Sequence, residues 1–257
     1  MIRNAVPEDY DAYTRLVVEL GVDDPIPDRD RFLADIMRRS IVVDDGQVVG
    51  YALFDTLAKA GYVRNVISDP EHRRRGIGRA LMTELRDRFI TAGARTWHLN
   101  VKPENTAAIA LYMSFGMQIE HTTHVVRVSR DIPLAEPPGM FCVERLEHEA
   151  DLGVERRFKL LSGTFENARA KRGREPLTFR FANDVVGAAV FTARIPGAYP
   201  FRLESPSDAA HAVVRLRELA EGDILELVVE NDEPLFEELQ RIGGTEHLTI
   251  VHMSGPL

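Results

Sequence analysis

Apolar residues recur along this chain at two spacings, and the switches between them mark its elements. A short strand over Ile2 to Ala5 is followed by Pro7-Glu8-Asp9, an acidic opening that suits a helix reaching Leu20 and stopping at Gly21. Pro25 and Pro27 make a loop, and Phe32, Leu33 and Ile36 form the apolar stripe of a second helical stretch over 29–39. Strands over 41–43 and 48–54 flank Asp44-Asp45-Gly46, a hairpin signal. A further strand containing Val63, Val66 and Ile67 breaks at Asp69-Pro70. Helical spacing then resumes at Ile77, Leu81, Leu85 and Phe89 and ends at Gly93. A strand over 97–101, a helix over 106–115 and a strand over 122–128 follow.

Past Val128 the string RDIPLAEPPGM contains three prolines and reads as a linker, which divides the chain into a first domain, 1–136, and a second, 137–257. The second half repeats the outline of the first, with strands at 141–146, 177–182 and 185–191 and helical residues over 151–169. VVGAAVF from Val185 echoes VVGYALF from Val48, and LELVVENDEPLFEELQRIGG echoes LNVKPENTAAIALYMSFGM, so Asn231 stands where Asn105 does. From Gly50 to Asn105 there are 55 positions, and from Gly187 to Asn231 there are 44. The shorter spacing comes with a loop, Glu204-Ser205-Pro206-Ser207-Asp208, that has neither glycine nor arginine.

In the first half the strand-to-helix turn reads Arg73-Arg74-Arg75-Gly76-Ile77-Gly78. Its glycines permit backbone angles closed to other residues, so successive N–H groups can converge on a phosphate at the positive end of the following helix. The Walker form needs a Gly-Lys pair, which is absent from the chain, and the dinucleotide form G-x-G-x-x-G would require glycine where Leu81 stands. What remains is R-x-x-G-x-G: Arg73, Gly76 and Gly78. Asn105 and Tyr112 lie seven residues apart on the later helix, two turns on the same side.

The R-x-x-G-x-G turn and the Asn105 to Tyr112 pair together resemble the GCN5-related N-acetyltransferase (GNAT) superfamily. The resemblance implies an α/β (α+β) chain of two such domains, each a mixed, mostly antiparallel sheet flanked by helices, the second one degenerate. It implies acetyl-CoA as acyl donor, bound by Val66, Ile67, Ser68, Arg73, Arg74, Arg75, Gly76, Ile77, Gly78, Arg79, Asn105 and Tyr112. Tyr112 would protonate the departing thiolate while a primary amine attacks the thioester directly. Relatives place a glutamate where this chain has Asn100, and Glu or His where it has Tyr62 and Arg64. His98 on the same strand is then the candidate base, with Arg64 and Asn100 facing the acceptor. A carboxylate-bearing acceptor would suit Arg64. Two other readings stay open: a non-catalytic acyl-CoA-binding or scaffold protein, and a transferase for a longer acyl chain.

Composition sets the outer limits. At 257 residues with 44% hydrophobic side chains the chain can fill two cores, and a net charge of -8 argues against a nucleic-acid binder. The single cysteine, Cys142, excludes an internal disulfide. Neither a signal region nor a membrane-length apolar run is present, so a cytoplasmic protein is expected, with a small-molecule amine or peptide acceptor as partner and no nucleic acid, membrane or metal. A homodimer is compatible with this reading. The second half, with 14 basic against 20 acidic residues, is expected to bind no cofactor and either to shape the acceptor's approach or only to stabilise the first half by burying its apolar surface.

Overall fold

The computed structural model describes residues 1–21 and 25–257, so residues 22–24 of the expected proline loop lie outside it. The strands are β1 (Ile2–Asn4), β2 (Ser40–Asp44), β3 (Val48–Thr56), β4 (Ala60–Ser68), β5 (Thr96–Val101), β6 (Gln118–Ser129), β7 (Phe141–Arg145), β8 (Glu175–Phe181), β9 (Asp184–Thr192), β10 (Gly197–Leu203), β11 (Ile224–Glu230) and β12 (Thr245–Pro256). The helices are α1 (Tyr10–Val17), α2 (Arg29–Arg31), α3 (Ile77–Thr91), α4 (Thr106–Met113), α5 (Asp151–Arg157), α6 (Thr164–Arg169), α7 (Ala209–Leu219) and α8 (Glu233–Arg241). The helical stretch over 29–39 forms as expected but irregularly, with a π turn over Phe32–Ile36 and a 3-10 turn over Met37–Arg39. Asp28 caps it by accepting from the Arg31 N–H at 2.8 Å.

The chain forms two compact units. The first comprises residues 1–101, 105–119 and 253–257, and the second comprises 102–104 and 120–252. In the first, β1 to β4 run antiparallel in sequence order and β5 joins β4 in parallel, paired from Ala60↔Thr96 to Val63↔Leu99. Ala5, Tyr13, Leu16, Phe32, Val42, Tyr51 and Ile67 build one core layer. Across the sheet α3 buries Ile77, Leu81, Met82, Leu85 and Phe89. Each of those side chains contributes about 1.5–3 kcal/mol by leaving water. The last residues of β12 complete this unit, and the Leu257 N–H donates to the Arg95 carbonyl at 3.1 Å.

The second unit repeats the plan. β7, β8, β9 and β10 form an antiparallel meander, β11 joins β10 in parallel, and α7 and α8 occupy the places of α3 and α4. β10 was not anticipated from the sequence, because Pro200 inside it argues against a strand.

One expectation is corrected. The strand over 122–128 was expected to complete the first domain, but β6 pairs antiparallel with β11, from Ile224↔Ser129 to Glu230↔Thr123, and belongs to the second unit from Glu120 on. In this part of the chain the first unit therefore ends at residue 119, and it also includes Met253–Leu257, the last residues of this chain. Strand pairing is decided by which edge is open when the sheets form, and that choice leaves no local sequence signal. The proline string over 130–140 forms neither helix nor strand, but it lies inside the second unit and not between the two, so the expected linker is not where the units part.

Candidate active site

β4 ends at Ser68, and the next residue fixes the direction of the turn. Asp69 accepts from the Glu71 N–H at 3.0 Å and is ion-paired with Arg15, whose hydrogen bond holds the Asp69 carboxyl below the usual carboxylate range. Arg15 also donates to the Val48 carbonyl at 2.7 Å, tying the turn to α1 and β3. The chain then takes two left-handed residues, Arg74 at φ 63° and Gly76 at φ 81°, and enters α3 with no side-chain cap on its first N–H groups. The first N–H groups of α3 thus have no side-chain acceptor at the positive end of the helix dipole. An ideal Cβ on Gly76 would meet nothing within 4 Å, so the space before the turn is open.

The turn is seated by a glycine 26 residues upstream. A Cβ on Gly50 would fall 2.4 Å from Ile77 Cγ2, so only glycine lets the first residue of α3 rest on β3. A Cβ on Gly78 would lie 3.1 Å from Leu111 of α4. The arginines divide. Arg73 pairs with Glu19 at 2.6 Å, and Arg79 donates to Ser114 Oγ at 3.0 Å while lying over the Phe115 ring. Arg74 and Arg75 are exposed and have no acidic partner among the described residues. Ile67 and Ile77 are buried, so of these expected cofactor residues only the backbone can face a ligand, whereas Val66 and Ser68 are half-buried.

The parallel pairing of β4 with β5 stops just before a bulge. Leu53 opposes Asn65 and Phe54 opposes Val63, which leaves Arg64 without a counterpart on β3. Beyond that point β4 continues to Ser68 and β5 to Asn100 and Val101, past the paired stretch. Tyr62 and His98 face one another across this junction, their rings 6.4 Å apart and nearly parallel. His98 Nε2 lies 3.1 Å from Thr96 Oγ1. Arg64 stacks over Tyr62 at 4.2 Å and donates from Nε to Asp55 at 2.7 Å, and Arg39 meets the other Asp55 oxygen at 2.5 Å.

α4 supplies the remaining pair. Asn105 accepts from the Ala108 N–H at 3.2 Å and so serves as N-cap, while its residue stays exposed. Tyr112 is buried, and burial alone pushes its hydroxyl up to about 12. The sequence reading missed Asp55, Asp69 and Gly50. Asp55 carried a signal, being an acid within the apolar run of β3, but its two arginine partners lie 16 residues before it and nine after.

Residues 5–117 match the model of the acetyltransferase (GNAT) family. Over 75 residues the chain is 35% identical to the [ribosomal protein bS18]-alanine N-acetyltransferase of Escherichia coli (strain K12), covering 29% of this chain and 51% of that protein. The chain thus spans about half the length of the curated relatives it matches. Among solved structures, a GCN5-related N-acetyltransferase from Sphaerobacter thermophilus superposes on all of this chain and 95% of its own, with TM-score 0.71 at 18% identity. A tandem GNAT protein from the clavulanic acid biosynthesis pathway covers all of this chain and 98% of its own, with TM-score 0.63 at 16% identity. These likenesses show the fold of both units, and within the first of them residues 5–117 match the model of the acetyltransferase (GNAT) family.

Proposed function

We propose that this protein is an acetyl-CoA-dependent N-acetyltransferase acting on a primary amine, with its one site in the first unit. The observation that carries the proposal is the turn through Arg74 and Gly76, which opens directly onto the uncapped N-terminus of α3. A pyrophosphate needs converging N–H donors, open space and nearby cations. That turn offers all three, with Arg74 and Arg75 as the cations. Acetyl-CoA supplies an activated acyl group as a thioester, and the amine's lone pair forms the new C–N bond as the C–S bond breaks.

The chain's own residues orient and manage protons. Tyr112, raised to about 12, stays protonated at neutral pH and is therefore a hydrogen-bond donor for a sulfur that gains charge. An ordinary thiol lies near about 8.5, so full transfer of the tyrosine proton is uphill, and the proton that ends on the thiol is supplied in balance by the amine. His98 is the nearest titratable group on the acceptor side and is proposed to take up the amine's proton through water. Arg64 is committed to Asp55, yet the Arg39, Asp55 and Arg64 group retains one net positive charge. That charge favours an acceptor bearing an acidic group.

Gly76→Glu tests the reading. It sets a carboxylate in front of the α3 donors and strains a left-handed position, and calorimetry should then show no acetyl-CoA binding. Unchanged affinity in a folded variant refutes the assignment of the site. Free thiol release across a panel of amines, amino acids and peptides separates a transferase from a protein that only binds acyl-CoA.

A further inference from the structure

The second unit has no counterpart of the glycine turn, but it gathers polar side chains on one face of neighbouring strands. His121 and Thr123 alternate on β6 and so share a face, and Thr123 lies opposite Glu230 in the β6 to β11 register. His252 of β12 stacks on His121, ring centroids 4.7 Å apart and 10° from parallel. From β10, Arg202 donates to Glu230 Oε2 at 2.5 Å, and the Tyr199 hydroxyl lies 3.4 Å from Oε1. One atom each from His121, Glu230 and His252 fall within 4.8 Å of one another. His121 Nε2 and Thr123 Oγ1 are buried with no hydrogen-bond partner, which is costly for polar atoms in a packed interior.

We propose that His121, His252 and Glu230 bind one divalent transition-metal cation of the zinc type. Two imidazole nitrogens and a carboxylate oxygen form a donor set that zinc accepts, with a fourth position left for water. An ion centred among three atoms no more than 4.8 Å apart would sit at most about 2.8 Å from each, so a shift of about 0.7 Å per side chain reaches ordinary bonding distance. Side-chain rotation alone can supply that shift. Arg202 fixes the carboxylate through Oε2, as outer partners commonly do for metal-bound carboxylates, and Oε1, which accepts from the Tyr199 hydroxyl at 3.4 Å, keeps a second lone pair for the metal. The ion would satisfy His121 Nε2 and link β6, β11 and β12, three strands far apart in sequence. The sequence reading expected no metal because these donors are separated by more than 100 and by about 20 residues, a spacing that matches no compact motif.

The test is titration of the metal-free full chain with Co²⁺, read by its visible absorption bands, with Zn²⁺ as competitor and thermal unfolding as a second readout. The expected result is one Co²⁺ per chain, displaced by Zn²⁺, with a Zn²⁺-dependent rise in Tm. His121→Gln and Glu230→Gln should each weaken binding by more than the about 10–100-fold that loss of an outer partner costs, while His148→Gln, at an exposed histidine away from the cluster, should match the parent. No absorption bands in the parent, or parental affinity in both cluster variants, overturns the site. If the variants unfold, hyperfine-shifted imidazole protons in the Co²⁺-loaded parent decide. Signals from two histidines support the site, and none refutes it.

Discussion

The strand-to-helix turn of the first unit and the segment that joins strand to helix at the same place in the second differ in path and present opposite charge. In the first, Arg74 and Gly76 turn the chain through left-handed angles and leave the α3 N-terminus uncapped beside exposed arginines. In the second, Ser205 to Asp208 make a 3-10 turn, Asp208 sits at the start of α7, and Glu204 is taken up by Arg157 at 2.6 Å. A carboxylate already occupies the positive end of that dipole. The later helices diverge as well. Asp232, one residue past the expected Asn231, caps α8 by accepting from the Leu235 N–H at 3.1 Å. Two turns on from Asp232 stands buried Leu239, and Glu238, seven residues after Asn231, pairs with Arg241. Neither can replace the hydroxyl of Tyr112. On the proposed reading, the two units keep one fold while only the first offers an anion site, because such a site depends on a few backbone angles and charges that the core does not need.

The largest expected effect comes from dividing the chain. A fragment ending at Glu136 loses Met253–Leu257 from the first unit and leaves Val125, Val126 and Val128 without β11. Exposing those valines alone forfeits about 1.5–3 kcal/mol each, against a total stability of about 5–15 kcal/mol. The fragment should be insoluble or unfolded by circular dichroism. A soluble fragment that binds acetyl-CoA with parental affinity would show that the contact boundary is not a folding boundary. Next is Tyr112→Phe, which should lower turnover about 100-fold with acetyl-CoA affinity retained. Affinity lost with turnover intact would reduce Tyr112 to packing. Because the Tyr112 hydroxyl is raised to about 12, its protonated form persists through neutral and mildly alkaline pH and is lost only as pH climbs toward that value. Turnover should accordingly show no fall assignable to Tyr112 between about pH 7 and 10.

The smallest effect sharpens the comparison most. Gly50→Ala and Gly187→Ala both press a methyl into a neighbour, Ile77 at 2.4 Å and Leu203 at 2.6 Å, and each should cost about 1–3 kcal/mol in denaturant unfolding. Only Gly50→Ala should also weaken acetyl-CoA binding, since Ile77 begins the helix behind the turn. Equal effects on binding would mean that the turn is not seated by β3.

Much of the first unit was legible because its signals are local. The Asp-Gly hairpin, the run from Val63 to Phe89 and the spacing from Asn105 to Tyr112 each depend on residues within one or two elements. That β6 belongs to the second unit from Glu120 on, while Met253–Leu257 belong to the first, was not legible, since β6 and β12 are both long β-prone strands without a local signal of their unit. The acceptor side was partly hidden for a related reason. Arg64 read alone offers a free cation, and its engagement by Asp55 depends on a bulge that follows from strand register. His98 was named from its residue type alone, and its stacking on Tyr62 follows from the parallel pairing of β4 with β5.

The central claim is one acyl-CoA site per chain, in the first unit, and calorimetric titration of the full chain with acetyl-CoA tests it most directly. The account predicts one equivalent bound by the parent protein and none by Gly76→Glu. Two equivalents in the parent, or one retained in a folded Gly76→Glu variant, would contradict it.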